Sequence, residues 1–398
     1  MVIIYLKEEE SEIRKVKQPK KRIQARNYEG ILFLAIFLFI LIPMLSVMGT
    51  ANFFQTMMLT AHDLLINTVF FLMAVAVLTG AVSGMFSEFG VIHILDKLLK
   101  FLMKPLFNLP GIAVVGVITT YFSDNPAIIS LTKDRNFLRF FRKWQLPLLC
   151  NLGTSFGMGL LISTFMIAQS TKVGHSVFIP VFIGNLGALI GSIISVRMMA
   201  YFSKKEIGDD QDDFEDSSNI SDKRTVREGS VFHRLLAAIL EGGRVGVEIG
   251  LGIIPGVLIV STFVMMLTYG PKDAVLGYQG IAYEGVPVLP WLGEKIFPVI
   301  KFLFGFHSSE LLAFPLTSLG SSGAALALVP NFIENGILGN NEIAVFTSMG
   351  MCWSGYLSTH IAMMDELGYR NLTNKAILSH TIGGLFAGIT AHFLMMIF

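Results

Sequence analysis

The chemically most pointed residues of the 398-residue sequence are three neighbours inside an apolar passage: Asp124, Asn125 and Pro126, in YFSDNPAIIS. A carboxylate can hold a cation, carry a proton or accept hydrogen bonds from a solute, and a carboxamide both donates and accepts. Ser123 and Asp124 also suit a helix cap, and Pro126 suits the first turn that follows, so capping alone would account for their types. An acid at membrane depth is costly, which makes Asp124 a candidate for function as well. At an offset of 198 residues, SLGSSGAA supplies Ser321, Ser322 and Gly323. These offer hydroxyls and bare backbone N–H groups for a polar or anionic ligand, or simply small residues for close helix packing.

Two further segments, CNLGTSFGMG (150–159) and TSMGMCWSGYLSTH (347–360), place Gly, Ser and Thr inside long apolar runs. Glycine weakens a helix and hydroxyls compete for its backbone bonds, so both segments are candidates for unwinding opposite the polar tips. Tight packing explains the same composition. The expected solute-binding set is therefore Ser123, Asp124, Asn125, Pro126, Asn151, Thr154, Ser155, Ser321, Ser322, Gly323, Ser348 and Ser354. Asp124, Glu310 and His360 are the candidates for ion or proton coupling. Glu310 also suits the positive end of a half-helix, and His360 could equally be a satisfied core histidine. No phosphate loop, HExxH, GxSxG or CxxC occurs, and the histidines show no ligand spacing. No enzyme activity, metal centre or cofactor is expected, beyond Na⁺ or H⁺ as a coupling ion.

These residues need elements to position them. The chain is 53% hydrophobic and 15% charged, with 33 Phe and 20 Met, against about 25% charged for a soluble domain. Residues 31–49 carry no charge, and further runs at 67–86, 145–168, 176–201, 249–269, 343–364 and 376–398 approach or exceed the roughly 20 residues that cross a bilayer. The expectation is a polytopic membrane protein. Its first run lacks a cleavage site and reads as a retained helix, and the two cysteines fall in predicted helices. The net charge of +1 gives no sign of nucleic acid.

The tail 1–28 holds eight Lys or Arg, which places it in the cytoplasm. Thr50–Asn67, without either, reads as an outside loop. Lys97, Lys100 and Lys104 on VIHILDKLLKFLMKPLF mark an amphipathic helix at the inner interface. The next basic cluster, ending in Arg139, Arg142 and Lys143, must be inside too, so 110–131 enters and returns as a re-entrant hairpin with Asp124–Pro126 at its tip. The charged stretch 202–232 reads as a flexible linker. The region 271–342, with three Lys, no Arg and six acids, reads as outside.

The same plan recurs. TTYFSDNPA lies over TSLGSSGAA at an offset of 198, and FIGNLGALIG (182–191) over TIGGLFAGIT at 199, with five identities in ten. Three spans and one hairpin per half make an odd number of crossings, so the halves are expected to be inverted repeats, a transporter plan. The fold class is thus all-α polytopic, two inverted-topology repeats each with three spanning helices and a re-entrant hairpin. An extra spanning helix stands at 29–50, the first repeat covers 65–201, the linker 202–232 and the second repeat 233–398.

KLLKFLMKPLFNLPG followed by TTYFSDNPAIISLT resembles the nucleoside-recognition or "Gate" domain family of bacterial membrane proteins, most nearly its YjiH-type members. EGGRVGVEIGLGIIPGVLIV through SLGSSGAALAL is similar to a second copy. Related domains occur in spore maturation proteins and in the membrane part of the ferrous-iron transporter, and the plan is similar to that of concentrative nucleoside transporters. The resemblance implies a solute site between the tips 123–126 and 321–323 and the helices at 151–155 and 348–354, in a multi-pass bacterial inner-membrane protein. The acidic substrate motifs of true nucleoside transporters and the cysteine motif of the iron transporter are not matched.

The leading expectation is a secondary transporter of a small polar solute, nucleoside-like or an organic anion, coupled to Na⁺ or H⁺. The N-terminus would lie in the cytoplasm and the C-terminus outside. Its partners are the solute and the lipid bilayer, with a homo-oligomer or membrane-protein partner allowed for. The alternatives are a non-transporting membrane partner or assembly factor of the spore-maturation type, and a divalent-metal permease.

Overall fold

The structure, a computed structural model, describes residues 28–133, 135–208 and 226–398. The basic tail before Tyr28 and the central part of the charged linker lie outside the described residues. Among those described the chain is helical, with one isolated bridge between Asp273 and Gly277 in a loop. It divides into two units, Met1–Thr50 and Ala51–Phe398. The first contributes one described helix, α1 (Tyr28–Met48), an apolar span with Pro43 inside it.

The second unit takes up the chain in the first turn of α2, Thr50–Glu88, which is interrupted by a π-helical turn at Leu64–Val69. The expected outside loop at Thr50–Asn67 is therefore helical. Absence of Lys and Arg says nothing of backbone conformation, and TANFFQTMMLTAHD contains no breaker. Helix α3 (Val91–Phe107) follows, and its axis bends by 108° into the short run Gly111–Phe122, whose α-helical part is α4 (Val114–Phe122). Lys97, Lys100 and Lys104 are all exposed on α3, as an interfacial helix requires. Next come α5 (Pro126–Lys133), α6 (Leu148–Thr154), α7 (Gly159–Ala168) and the long α8 (Phe178–Ile207).

The order then repeats. Helix α9 (Val231–Thr268) again carries a π-helical turn, at Gly256–Ser261. Helix α10 (Val288–Phe304) bends by 77° into Ser309–Ser318, which contains α11 (Ala313–Ser318). They are followed by α12 (Ser322–Leu326), α13 (Asn340–Cys352), α14 (Tyr356–Glu366) and α15 (Thr373–Met395). Among the described residues six helices are long and apolar enough to cross a membrane, or eight if each bent pair is one span. This is a polytopic all-α membrane protein.

Lipid removes the hydrophobic incentive for helices to associate, so small residues and close backbones must do it. The long helices pack accordingly, α2 against α9 and α8 against α15. A Cβ on Gly80 would lie 2.3 Å from the Gly242 carbonyl oxygen, one on Gly84 2.3 Å from that of Ala238, and one on Gly246 2.3 Å from that of Ala76. Rising numbers on α2 meet falling numbers on α9, so the pair is antiparallel. The same holds for α8 and α15, where Gly191 meets the Gly383 carbonyl and Gly187 that of Ala387.

The loop between α9 and α10 is tied by one buried acid. Glu284 accepts backbone N–H bonds from Gln279 at 3.0 Å, Gly280 at 2.9 Å and Ile281 at 3.3 Å. Beside it, the Tyr283 hydroxyl donates to Asp63 and the Tyr283 N–H to Thr60 Oγ1, joining the loop to α2. Replacing Glu284 by Ala leaves those N–H groups buried and unpaired and should cost about 3 kcal/mol. A lower melting temperature, with faster amide exchange confined to 279–284 and neighbouring loop residues, is the expected result.

Candidate functional site

The first tip forms where α4 runs out of helix. Ser123 takes φ −134° and ψ −119°, which reverses the chain, and α5 starts at Pro126, whose missing N–H costs nothing there. Asp124 Oδ1 accepts the Asn125 N–H at 2.7 Å, and the Asp124 carbonyl accepts from Ala127. The carboxylate thus satisfies one orphan donor of the new helix and also lines a cavity. Asn125 turns the other way. It is 1% exposed, and its Nδ2 donates to the Ser354 carbonyl at 2.6 Å and to Ser354 Oγ at 3.2 Å.

Ser354 sits in a helix break. Helix α13 stops at Cys352 and α14 resumes at Tyr356 through Gly355, at φ +59°. A similar break separates α6 from α7, with Met158 at φ +56°. Both segments read as single spans with unwinding at their glycines are thus broken near those glycines. A Cβ on Gly157 would fall 2.1 Å from Asn125 Oδ1, and one on Gly355 2.3 Å from Asn125 Nδ2. One carboxamide is therefore keyed between the two breaks, and its Oδ1 has no hydrogen-bond partner.

The second tip is built on serines. Ser321 caps α12, its side chain accepting the Ala324 N–H at 3.2 Å, and Ser322 Oγ donates to the Gly350 carbonyl of α13 at 2.6 Å. Helix α9 leans on this tip at its π-helical turn. Ser261 Oγ donates to the Ala324 carbonyl, and a Cβ on Gly256 would lie 2.8 Å from Ser321 Oγ.

Between the tips lies a cavity of about 470 Å³, lined by Ser123, Asp124, Ser321, Ser322, Gly323 and Ser354 among the expected residues. A second, of about 210 Å³, shares Ser123, Val245 and Ile249 with it and reaches Arg227 and Glu241. There Glu88 pairs with Arg227 at 2.5 Å and Arg234 at 2.7 Å, and Arg227 also pairs with Glu241.

The other expected residues stand elsewhere. Thr154, Ser155 and Ser348 are wholly buried, their hydroxyls donating to the carbonyls of Cys150, Asn151 and Val345 in their own helices. Asn151 Nδ2 bonds Ser195 Oγ and the Ala376 carbonyl. Glu310 accepts from Ser308 and stands, as expected, in the first turn of the short helix Ser309–Leu312, which Ser308 caps. His360 is buried against His380, ring centroids 4.8 Å apart. Carbonyl acceptors put the protons on His360 Nδ1, facing Tyr356, and on His380 Nε2, facing Cys352, while Ser195 Oγ bonds His380 Nδ1. None of these side chains lines the cavity. Five of the missed lining residues come from α9, Val245, Glu248, Ile249, Gly252 and Ile253, and the others, Ala127, Met158, Gly320 and Gly355, stand beside the tips and breaks. The signal was in EGGRVGVEIGLG, where Glu241, Arg244 and Glu248 share one face of an otherwise apolar span.

No family model matches the chain, and no curated protein matches it in sequence. Solved structures do. CNTnw, a concentrative nucleoside transporter, in an inward-facing substrate-bound state superposes with a TM-score of 0.52 at 11% identity, covering 81% of this chain and 74% of that one. A variant of CNTnw in an intermediate state gives 0.51 at 13% identity, over 95% and 87%. An outward-facing variant gives 0.51 at 12%, over 92% and 86%. The chain shares their fold.

Proposed function

We propose that the protein is a secondary transporter of a small polar solute, nucleoside-like in size and hydrogen bonding, moved together with Na⁺ or H⁺ across a bacterial inner membrane. The observation that carries this reading is Asn125, a hairpin-tip side chain keyed between two broken helices, one from each half, beside a solute-sized cavity. Backbone groups freed at such breaks are tolerated in a membrane where they are buried in protein or line a cavity. The cavity lies at their junction. Likeness of fold to CNTnw supports the same reading, as does the residue pattern of a Gate-domain, YjiH-type protein.

The matched helices α2 and α9, and α8 and α15, lie antiparallel, and we read the halves as inverted-topology repeats. Rocking one against the other would expose the tips to alternate sides. The orientation that fits the charges keeps the N-terminus in the cytoplasm and the C-terminus outside.

The test is a thermal-shift screen of purified protein with nucleosides, nucleobases and small carboxylates, each with and without Na⁺, followed by uptake into proteoliposomes. A ligand at 100 times its Kd should add about 2.7 kcal/mol to stability. Asp124→Asn should abolish uptake while the melting temperature stays within a few degrees, because the carboxamide oxygen of the new side chain can still accept the Asn125 N–H. Undiminished uptake by that variant would remove Asp124 from the mechanism. No stabilisation by any solute, with a second membrane protein co-purifying from native membranes, would favour the assembly-factor reading instead.

A further inference from the structure

We propose that the cavity between the tips is a cation-selective chamber, and that Glu248 on α9 sets this selectivity, so that the solute carries a protonated amine or a comparable positive group. The inference rests on the transport reading for the identity of the site, and it narrows the solute class within that reading.

Two carboxylates line the chamber, Asp124 from the tip between α4 and α5 and Glu248 from α9. Among the described residues no Lys, Arg or His lines it. The remaining polar lining is hydroxyl and backbone: Ser123, Ser321, Ser322 and Ser354, with glycines between them. Three of those hydroxyls are committed, since Ser321 accepts from Ala324, Ser322 donates to Gly350 and Ser354 accepts from Asn125.

Glu248 is not neutralised by its neighbour. Arg244 Nε stands 3.7 Å from Glu248 Oε1, and both side chains are largely exposed, at 81% and 66%. Arg244 does not line the cavity, so it is the carboxylate and not the guanidinium that faces a ligand there. In the adjoining cavity the charges cancel, Glu88 and Glu241 against Arg227 and Arg234. Negative charge is thus in excess at the tips and balanced at the approach. Walls of low dielectric concentrate the field of fixed charges in a cleft, raising the local concentration of the opposite sign. An organic anion would be repelled from the chamber.

The experiment places a reporter thiol in the chamber of the full chain. Ala127→Cys faces it, whereas Cys150 and Cys352 are buried. The variant is reacted with a trimethylammonium-bearing and a sulfonate-bearing methanethiosulfonate of equal size, each rate divided by that with a free thiol. The cationic reagent should react about tenfold faster. The preference should fall several-fold in Glu248→Gln and persist in Glu248→Asp. Equal rates, faster reaction of the anionic reagent, a preference unchanged in Glu248→Gln, or labelling by neither reagent would each overturn the proposal. In a parallel thermal-shift series, 5′-amino-5′-deoxyadenosine should stabilise more than adenosine, and adenosine 5′-carboxylate least, with the order flattened in Glu248→Gln. The reverse order would overturn the proposal. A cationic labelling preference with no solute stabilising the protein would support the chamber's charge and count against the transport reading.

Discussion

Asn125→Ala is expected to reduce uptake at least about a hundredfold and to lower the melting temperature as well, unlike Asp124→Asn. Two terms combine. The bonds to Ser354 Oγ and to its carbonyl are lost, leaving that carbonyl buried without its donor, which costs about 1–3 kcal/mol. The space between Gly157 and Gly355 is also emptied, so both breaks lose the object that spaces them. If transport repositions the tip against those breaks, a factor of 100 in rate corresponds to about 2.7 kcal/mol, within that range. Asn125→Asp should be no better, because it brings a carboxylate oxygen against the Ser354 carbonyl. Uptake into proteoliposomes, at matched incorporation and with melting temperatures recorded, decides the matter. Uptake near that of the unmodified protein would mean that the keyed carboxamide is packing alone.

Gly246→Leu has the largest expected effect on folding. Its Cβ would lie 2.3 Å from the Ala76 oxygen and 2.5 Å from Val77 Cα, so backbone, not a movable side chain, must give way. Overpacking usually costs about 1–3 kcal/mol, and a clash with a neighbouring helix backbone belongs at or beyond the top of that range. The expected outcome is loss of the monodisperse species in detergent, or a fall in melting temperature of ten degrees or more. Gly30→Leu, on α1, meets nothing within 4 Å and serves as the control. A stable Gly246→Leu protein would show that α2 and α9 do not approach as closely as described.

Much of this architecture is legible in the sequence because bilayer physics makes it so. Apolar runs announce spans, Lys97, Lys100 and Lys104 announce a helix with an exposed basic face, and the polar tip of YFSDNPAIIS announces a turn that a continuous helix would not contain. What eluded the sequence was degenerate there. Gly, Ser and Thr in CNLGTSFGMG serve close packing and unwinding equally well, so Asn151, Thr154 and Ser155 read as solute ligands although they are buried in the core, where Asn151 Nδ2 and both hydroxyls donate to partners. The first halves of α2 and α9 are less uniformly apolar than their second halves, and a search for spans of bilayer length clips them to 67–86 and 249–269. Clipping α9 removed Glu241, Arg244 and Glu248 from view, and with them one wall of the cavity.

The mutual embrace of α2 and α9 also bears on how the chain is made. The two glycine-lined faces are separated by some 140 residues, from Glu88 to Val231. At roughly 5–20 residues per second of synthesis, α2 would wait on the order of ten to thirty seconds in the bilayer before its mate emerges from the ribosome. During that interval the close-packing groove of Gly80 and Gly84 can be filled only by lipid or by a foreign helix. A similar delay faces α8, which ends at Ile207 while its partner α15 begins only at Thr373. The insertion machinery must therefore shelter half-built protein, and slowing translation after Ile207 should increase its degradation more than slowing it before Thr50.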